Sequence, residues 1–258
     1  MNTNGSSNPG DWHYNYVLRL GDNALILGQR LSEWCGHSPF VEEDVAMANT
    51  ALDHIGRARM LLTHAADLEG QGRSEDELAY LRNERQFTNF LLCELPIGDF
   101  AFTIVRQVML DTYHFLLYEA LQDSSDATLA AIASKVVKES TYHLRHSSHW
   151  LIRLGDGTQE SHQRSQKALD AQWRFISEFF STDHIDETAL ANGVGVDIEA
   201  LEKQWREQVE SVLTRATLHQ PKDAPLAASG RAGLHTEHMG FLLAEMQSVQ
   251  RAYPGLEW

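Results

Sequence analysis

A chain of 258 residues with 43% apolar residues and six Trp is long enough to bury one sizeable core, so a single compact domain is expected. Its 36 Asp and Glu against 21 Lys and Arg leave a net charge of -15, which repels a phosphate backbone and argues against nucleic-acid binding; no Gly-rich phosphate loop is visible either. Cys35 and Cys93 cannot build a disulfide framework, the start lacks a basic-then-apolar signal pattern, and no run approaches the roughly 18 to 20 apolar residues that cross a bilayer, so a cytoplasmic chain without a membrane partner is expected.

Residues 1–13 are polar and aperiodic, with Gly, Ser and Pro, and read as a disordered lead-in. A helical pattern runs from residue 14 to about 33 and stops near Gly36. Ser38-Pro39 followed by Glu42, Glu43 and Asp44 announces a second helix, which ends at Gly70 and Gly72. Ser74 and Glu77 have capping-box spacing and open a short connecting helix. After the Pro96-Ile97-Gly98 break, Asp99 is placed to cap a third long helix that ends near Leu121. A fourth runs from about 126 to 154, and further helical segments are predicted at roughly 158–180, 197–219 and 235–252. Period-two alternation is almost absent. The expectation is an all-α chain, residues 14–258 forming one domain: an antiparallel four-helix bundle over about 14–155 with additional helices over 158–258.

The fourth helix contains KESTYHLRHSSHW (138–150), with Glu139, His143, His146 and His149 at helical spacings. At about 100° per residue, Leu129, Ile132, Ala133, Val136, Ser147, Trp150 and Leu154 define one stripe. Ser140 and His143 fall near its centre and should point inward, Glu139 and His146 sit at its edge, and His149 faces outward. An inward His is either a hydrogen-bonded core residue or a metal ligand. Bundle di-iron sites use a Glu on each of two helices and Glu-x-x-His on the other two. Here the residue three before His143 is Ser140, a poor replacement for a bridging carboxylate.

The segments LGDNALILGQRLSEWCGH (20–37), NERQFTNFLLCELPIGDFA (83–101), KESTYHLRHSSHWLIRLG (138–155) and GLHTEHMGFLLAEMQSVQRAYPGLEW (233–258) resemble the C-subunit family of ring-1,2-phenylacetyl-CoA epoxidases. The resemblance implies a ferritin-like bundle that pairs with a homologous catalytic A subunit. The complex would epoxidise the ring of phenylacetyl-CoA with dioxygen and electrons from a separate reductase. Carried over from the catalytic relatives, the six ligand positions fall on Glu33, His54, Arg57, Asp111, Ser140 and His143. Glu33, Asp111 and His143 are kept, while His54 and Arg57 replace a Glu and a His, and Ser140 replaces a Glu. The resemblance thus implies remnant positions, no metal, cofactor or catalytic residue on this chain, and a di-iron centre on its partner. Arg57 is expected to fill the space of the iron and balance the buried carboxylates, so that losing it would cost about 3 to 5 kcal/mol, the scale for a broken buried ion pair.

Two rival readings remain open. One is an oxygenase that uses a different set, such as Glu42 or Glu43, Asp53, Asp111, Glu139 and His143. The other is a free-standing ferritin-like binding protein. Asp111 with His114, and His235 with Glu237 and His238, are ligand-like groups without a visible partner set. The apolar tail containing Leu234, Met239, Phe241, Leu242, Leu243, Met246 and Val249 either packs on the bundle or forms an interface.

Overall fold

Four helices of 22 to 29 residues form the bundle in this computed structural model, which describes residues 11–226 and 228–256: α1 (Asp11–Ser32), α2 (Val41–Glu69), α5 (Phe100–Leu121) and α6 (Ala127–Gly155). Around them lie α3 (Glu75–Tyr80), α4 (Leu91–Glu94), α7 (Gln159–Gln172), α8 (His184–Ala191), α9 (Ile198–Arg215), α10 (Glu237–Met246) and α11 (Ser248–Ala252). No strand occurs among the described residues, and no helix there is long and apolar enough to cross a membrane.

Local chemistry sets most boundaries. Gly70 closes α2 with a left-handed φ of 66°, which costs glycine little. Ser74 and Glu77 complete a capping box on α3, and the Asp99 carboxylate caps α5 by accepting from the Phe102 amide. Asp126 caps α6 through Oδ1, which accepts from the Thr128 and Leu129 amides. Residues 11–13, assigned to the lead-in by sequence, instead begin α1. Trp12 packs against the core there and His13 reaches Asp126 across the bundle. Residues 1–10 lie outside the described residues.

α1 packs closely on α2 because Gly28 has no Cβ; one added there would stand 2.9 Å from the Ile55 side chain and 3.2 Å from His54. The additional helices cover the bundle unevenly. α4 and α8 lie on α1, α7 and α9 lie on α5 and more lightly on α6, and α2 packs mainly against α1, α6 and the short α3. Sequence reading did not resolve α4 or α8. The second is held by ion pairs: buried Arg19 on α1 binds half-exposed Asp183 and buried Asp186, and Arg231 binds Asp186 from the other side.

The predicted segment at 158–180 is α7 followed by a 3-10 turn over Trp173–Glu178, and the segment at 235–252 is split into α10 and α11. Two buried acids latch the C-terminal part onto the bundle. Glu94 accepts from the Thr236 amide, Asn89 and His235, and Glu178 accepts from the Leu91 and Gly230 amides and the Ser229 hydroxyl. Met239, Leu242 and Leu243 are buried, whereas Phe241, Leu234 and Val249 are exposed, so the apolar tail packs with one face only.

Candidate functional site

Five of the six positions singled out by sequence meet in the interior between α2, α5 and α6. His54 and Arg57 lie one turn apart on α2, Asp111 projects from α5, and Ser140 and His143 lie one turn apart on α6; all five are buried. Glu33 is a correction. It follows the last turn of α1, its side chain is 37% exposed, and it pairs with Arg30 at 2.6 Å. Arg30 is itself fixed by the Glu94 and His238 carbonyls, which draws Glu33 to the surface rather than toward the cluster.

Arg57 Nη2 donates to Ser140 Oγ at 3.3 Å, and its guanidinium carbon stands 5.0 Å from the Tyr118 ring centroid. Nε and Nη1 have no hydrogen-bond partner, and no carboxylate is within ion-pair distance of Arg57 among the described residues. The expected charge balance through a direct ion pair is therefore not what holds this side chain. The His54 ring lies against His143 with centroids 5.4 Å apart and stands 5.7 Å from His114. Both His54 nitrogens and His114 Nδ1 lack partners. Burial first, and then the nearby Arg57 charge, push both imidazoles well below the usual His range, so both are neutral.

Asp111 accepts from Gln107 Nε2 at 3.4 Å. Burial raises its pKa, against the opposing pull of His143 and of the nearby Ser147 hydroxyl. His143 Nε2 bonds Asp53 Oδ2 at 2.9 Å, a partner that sequence reading did not assign. One turn along α6, His146 Nε2 bonds Glu43 Oε2 at 2.9 Å. His149 is exposed, as the helical stripe requires.

The donor atoms of His54, Asp111 and His114 lie within 4.8 Å of one another, so Asp111 and His114 gain from α2 the partner that their own helix could not show. Their i, i+3 spacing, together with the inward placement of His54, was the available signal. This set offers one carboxylate and two imidazoles. A di-iron centre needs carboxylates from all four helices; of the other positions expected from sequence, Arg57 and Ser140 bring no carboxylate and Glu33 lies at the surface. The residues present do not fit that group. The alternative set does not converge either: Glu43 and Asp53 are spent on His146 and His143 at the α2–α6 seam, Glu139 pairs with Lys135 at 3.7 Å, and Glu42 is exposed.

Two further clusters are satisfied by their own hydrogen bonds. At one end, Asp126 Oδ2 takes His13 Nε2 at 2.8 Å and His64 Nε2 at 2.5 Å, joining α1, α2 and α6. At the other, His235 Nδ1 meets Glu94 Oε2 at 2.7 Å and Nε2 meets the Phe87 carbonyl at 3.0 Å. Two acceptors on one ring require both nitrogens to carry protons. Although burial works against it, the Glu94 carboxylate holds the His235 pKa above the usual value. Cys93 is buried, and burial pushes its thiol up, away from the reactive thiolate.

The chain is 49% identical over 243 residues to a protein of Escherichia coli (strain K12) described as the C subunit of 1,2-phenylacetyl-CoA epoxidase; the match covers 94% of this chain and 98% of that protein. The sequence model of one family matches residues 4–258, which include every helix and the whole polar interior, and the chain belongs to that family, the phenylacetic acid catabolic proteins.

Proposed function

We propose that this chain is the non-catalytic subunit of a multicomponent 1,2-phenylacetyl-CoA epoxidase, a cytoplasmic hetero-oligomer. Within it the chain pairs with a homologous di-iron catalytic subunit, alongside further subunits that include a reductase, and phenylacetyl-CoA is the substrate of the whole complex. The likeness to the C subunit of the bacterial epoxidase supports the assignment. The non-catalytic role rests chiefly on one observation: Arg57 and Ser140, which stand at two positions where catalytic relatives are expected to carry ligands, are hydrogen-bonded to each other.

The contribution of such a chain is mechanical. Its helices are fixed by buried cap, latch and ion-pair contacts, and a rigid surface of this kind holds a partner's ligand-bearing helices in register. Metal ligands keep their geometry only when the helices that carry them are supported in this way. The test is iron content per chain, for the protein expressed alone in iron-rich medium and again with the catalytic subunit. The expected result is no iron alone and a full di-iron complement per catalytic subunit in a stable complex. A di-iron complement in the isolated chain would overturn the proposal.

A further inference from the structure

We infer that the outward face of the α2–α6 pair is the docking surface for an acidic, partly apolar helical face of the partner subunit. The inference rests on the subunit reading above and adds where the partner sits and what chemistry it presents.

Two exposed stripes meet on this face. On α2, Val41, Val45 and Leu52 recur on one side of the helix and are 75%, 55% and 66% exposed, and Phe40 just before the helix is also exposed. On α6, Lys135, Lys138, Tyr142, Arg145, His149 and Arg153 recur every three or four residues, and all six are exposed. The helices run antiparallel, joined by the Phe40–Trp150 contact and by the Glu43–His146 and Asp53–His143 bonds, which brings the two stripes side by side.

The charge on α6 runs against that of the whole chain. The helix has four Lys and Arg and a single acid, Glu139, in a protein of net charge -15. Lys135 uses that acid. Among the described residues Lys138, Arg145 and Arg153 have no carboxylate partner; Arg145 and Arg153 lie over Tyr142 and Trp150, with guanidinium carbons 5.7 and 4.4 Å from the ring centroids. A shallow cavity of about 240 Å³ separates these side chains. Aromatic residues and Arg beside an apolar strip make up the composition of interface centres.

The arrangement selects its occupant. The α6 stripe is about 27 Å long and the α2 stripe about 16 Å, too extended for a small ligand. One helix width of about 10 Å over each length gives about 430 Å², roughly half of the ~800 Å² per partner of a standard interface. A second copy of this chain would set the same cations against each other across a two-fold axis, whereas a partner with carboxylates opposite Lys138, Arg145 and Arg153 would neutralise them. α7 and α9 also touch α6 and the short α3 touches α2, but the side chains of the two stripes themselves stay exposed.

The test measures binding of the full chain to the catalytic subunit at several salt concentrations. Three proteins are compared: wild type, K138E/R145E/R153E, and the control K167E/K203E/K222E, which changes net charge equally at exposed sites elsewhere. The expected result is a loss of roughly tenfold or more in affinity for the α6 variant alone, with a flatter salt dependence. V45S/L52S should weaken binding without flattening it. Equal weakening by both charge variants would overturn the inference, as would an α6 variant that binds like wild type; in those cases the subunit reading stands. Loss of saturable coenzyme A binding in the α6 variant with subunit binding intact would also overturn it, in favour of a nucleotide site. Wild-type protein that binds no catalytic subunit would overturn both.

Discussion

Replacing Arg57 by Met tests whether the polar interior is held by charge pairing. An ion-pair reading sets the loss at about 3 to 5 kcal/mol, but the contacts lead to a different number. The substitution removes one charge-assisted hydrogen bond, to Ser140, worth about 1.5 to 3 kcal/mol, and one cation–π contact, to Tyr118, worth about 1 kcal/mol. It also removes two buried nitrogens that make no bond, each costing about 1 to 3 kcal/mol. Met supplies a flexible apolar side chain of similar length that fills most of the space. The expected net is between neutral and about 2 kcal/mol stabilising, in line with buried charges exchanged for apolar groups elsewhere. Urea denaturation at pH 7 is the assay, read as the midpoint with the slope unchanged. A destabilisation of 3 kcal/mol or more would refute the reasoning and make Arg57 the counter-ion of Asp111. R57M in an Asp111→Asn background would then show strong coupling between the two sites.

His235 has a raised folded pKa because Glu94 outweighs burial, so its contribution is fully present below the ordinary value near 6.5 and is lost as pH rises through the folded value; His235→Gln should cost more at pH 6 than at pH 9 in denaturation midpoints. Asp126 has a depressed pKa, since His64, the Leu129 amide and His13 together outweigh its burial. Its charge therefore stabilises above pH ~4 and fades on acidification, and Asp126→Ala should cost about 1 kcal/mol more than Asp126→Asn, which keeps the cap, in thermal melts at pH 7. A Cβ on Gly230 would stand 2.0 Å from the Asn89 carbonyl oxygen, so Gly230→Ala should cost about 1 to 3 kcal/mol, with hydrogen exchange in residues 228–246 rising before that of the bundle.

The features legible in the sequence are those fixed within one or two turns. Asp99 and Ser74 cap helices where their spacing to the following residues says they should, and the α6 stripe places Ser140 and His143 inside and His149 outside, because both signals depend only on helical geometry. What escaped depends on contacts between distant segments. The eight-residue helix α8 has little apolar surface of its own and is anchored by Arg19, 164 residues before Asp183. Asp53 as the partner of His143 lies 90 residues away, on another helix. Glu33 was misplaced for the same reason: its motif suggested a ligand position, but a neighbouring Arg30 pinned by two distant carbonyls decides where the carboxylate goes.

The two kinds of buried polar group in this chain are built to different standards, and the difference bears on what each is for. All four carboxylate oxygens of Glu94 and Glu178 accept hydrogen bonds from groups of the C-terminal part or the segment beneath it. Asn89 Oδ1 beside them lacks a partner, yet carboxylates satisfied in this way fix one arrangement, because any shift leaves a charge unpaired at a cost of several kcal/mol. The central cluster leaves unpartnered atoms on His54, Arg57, Gln107, His114 and Glu139. Such a set cannot be the source of the fold's stability. Stability comes instead from the latches, caps and apolar core that surround it, which is why side chains of the interior can be exchanged while the helices around them stay in place.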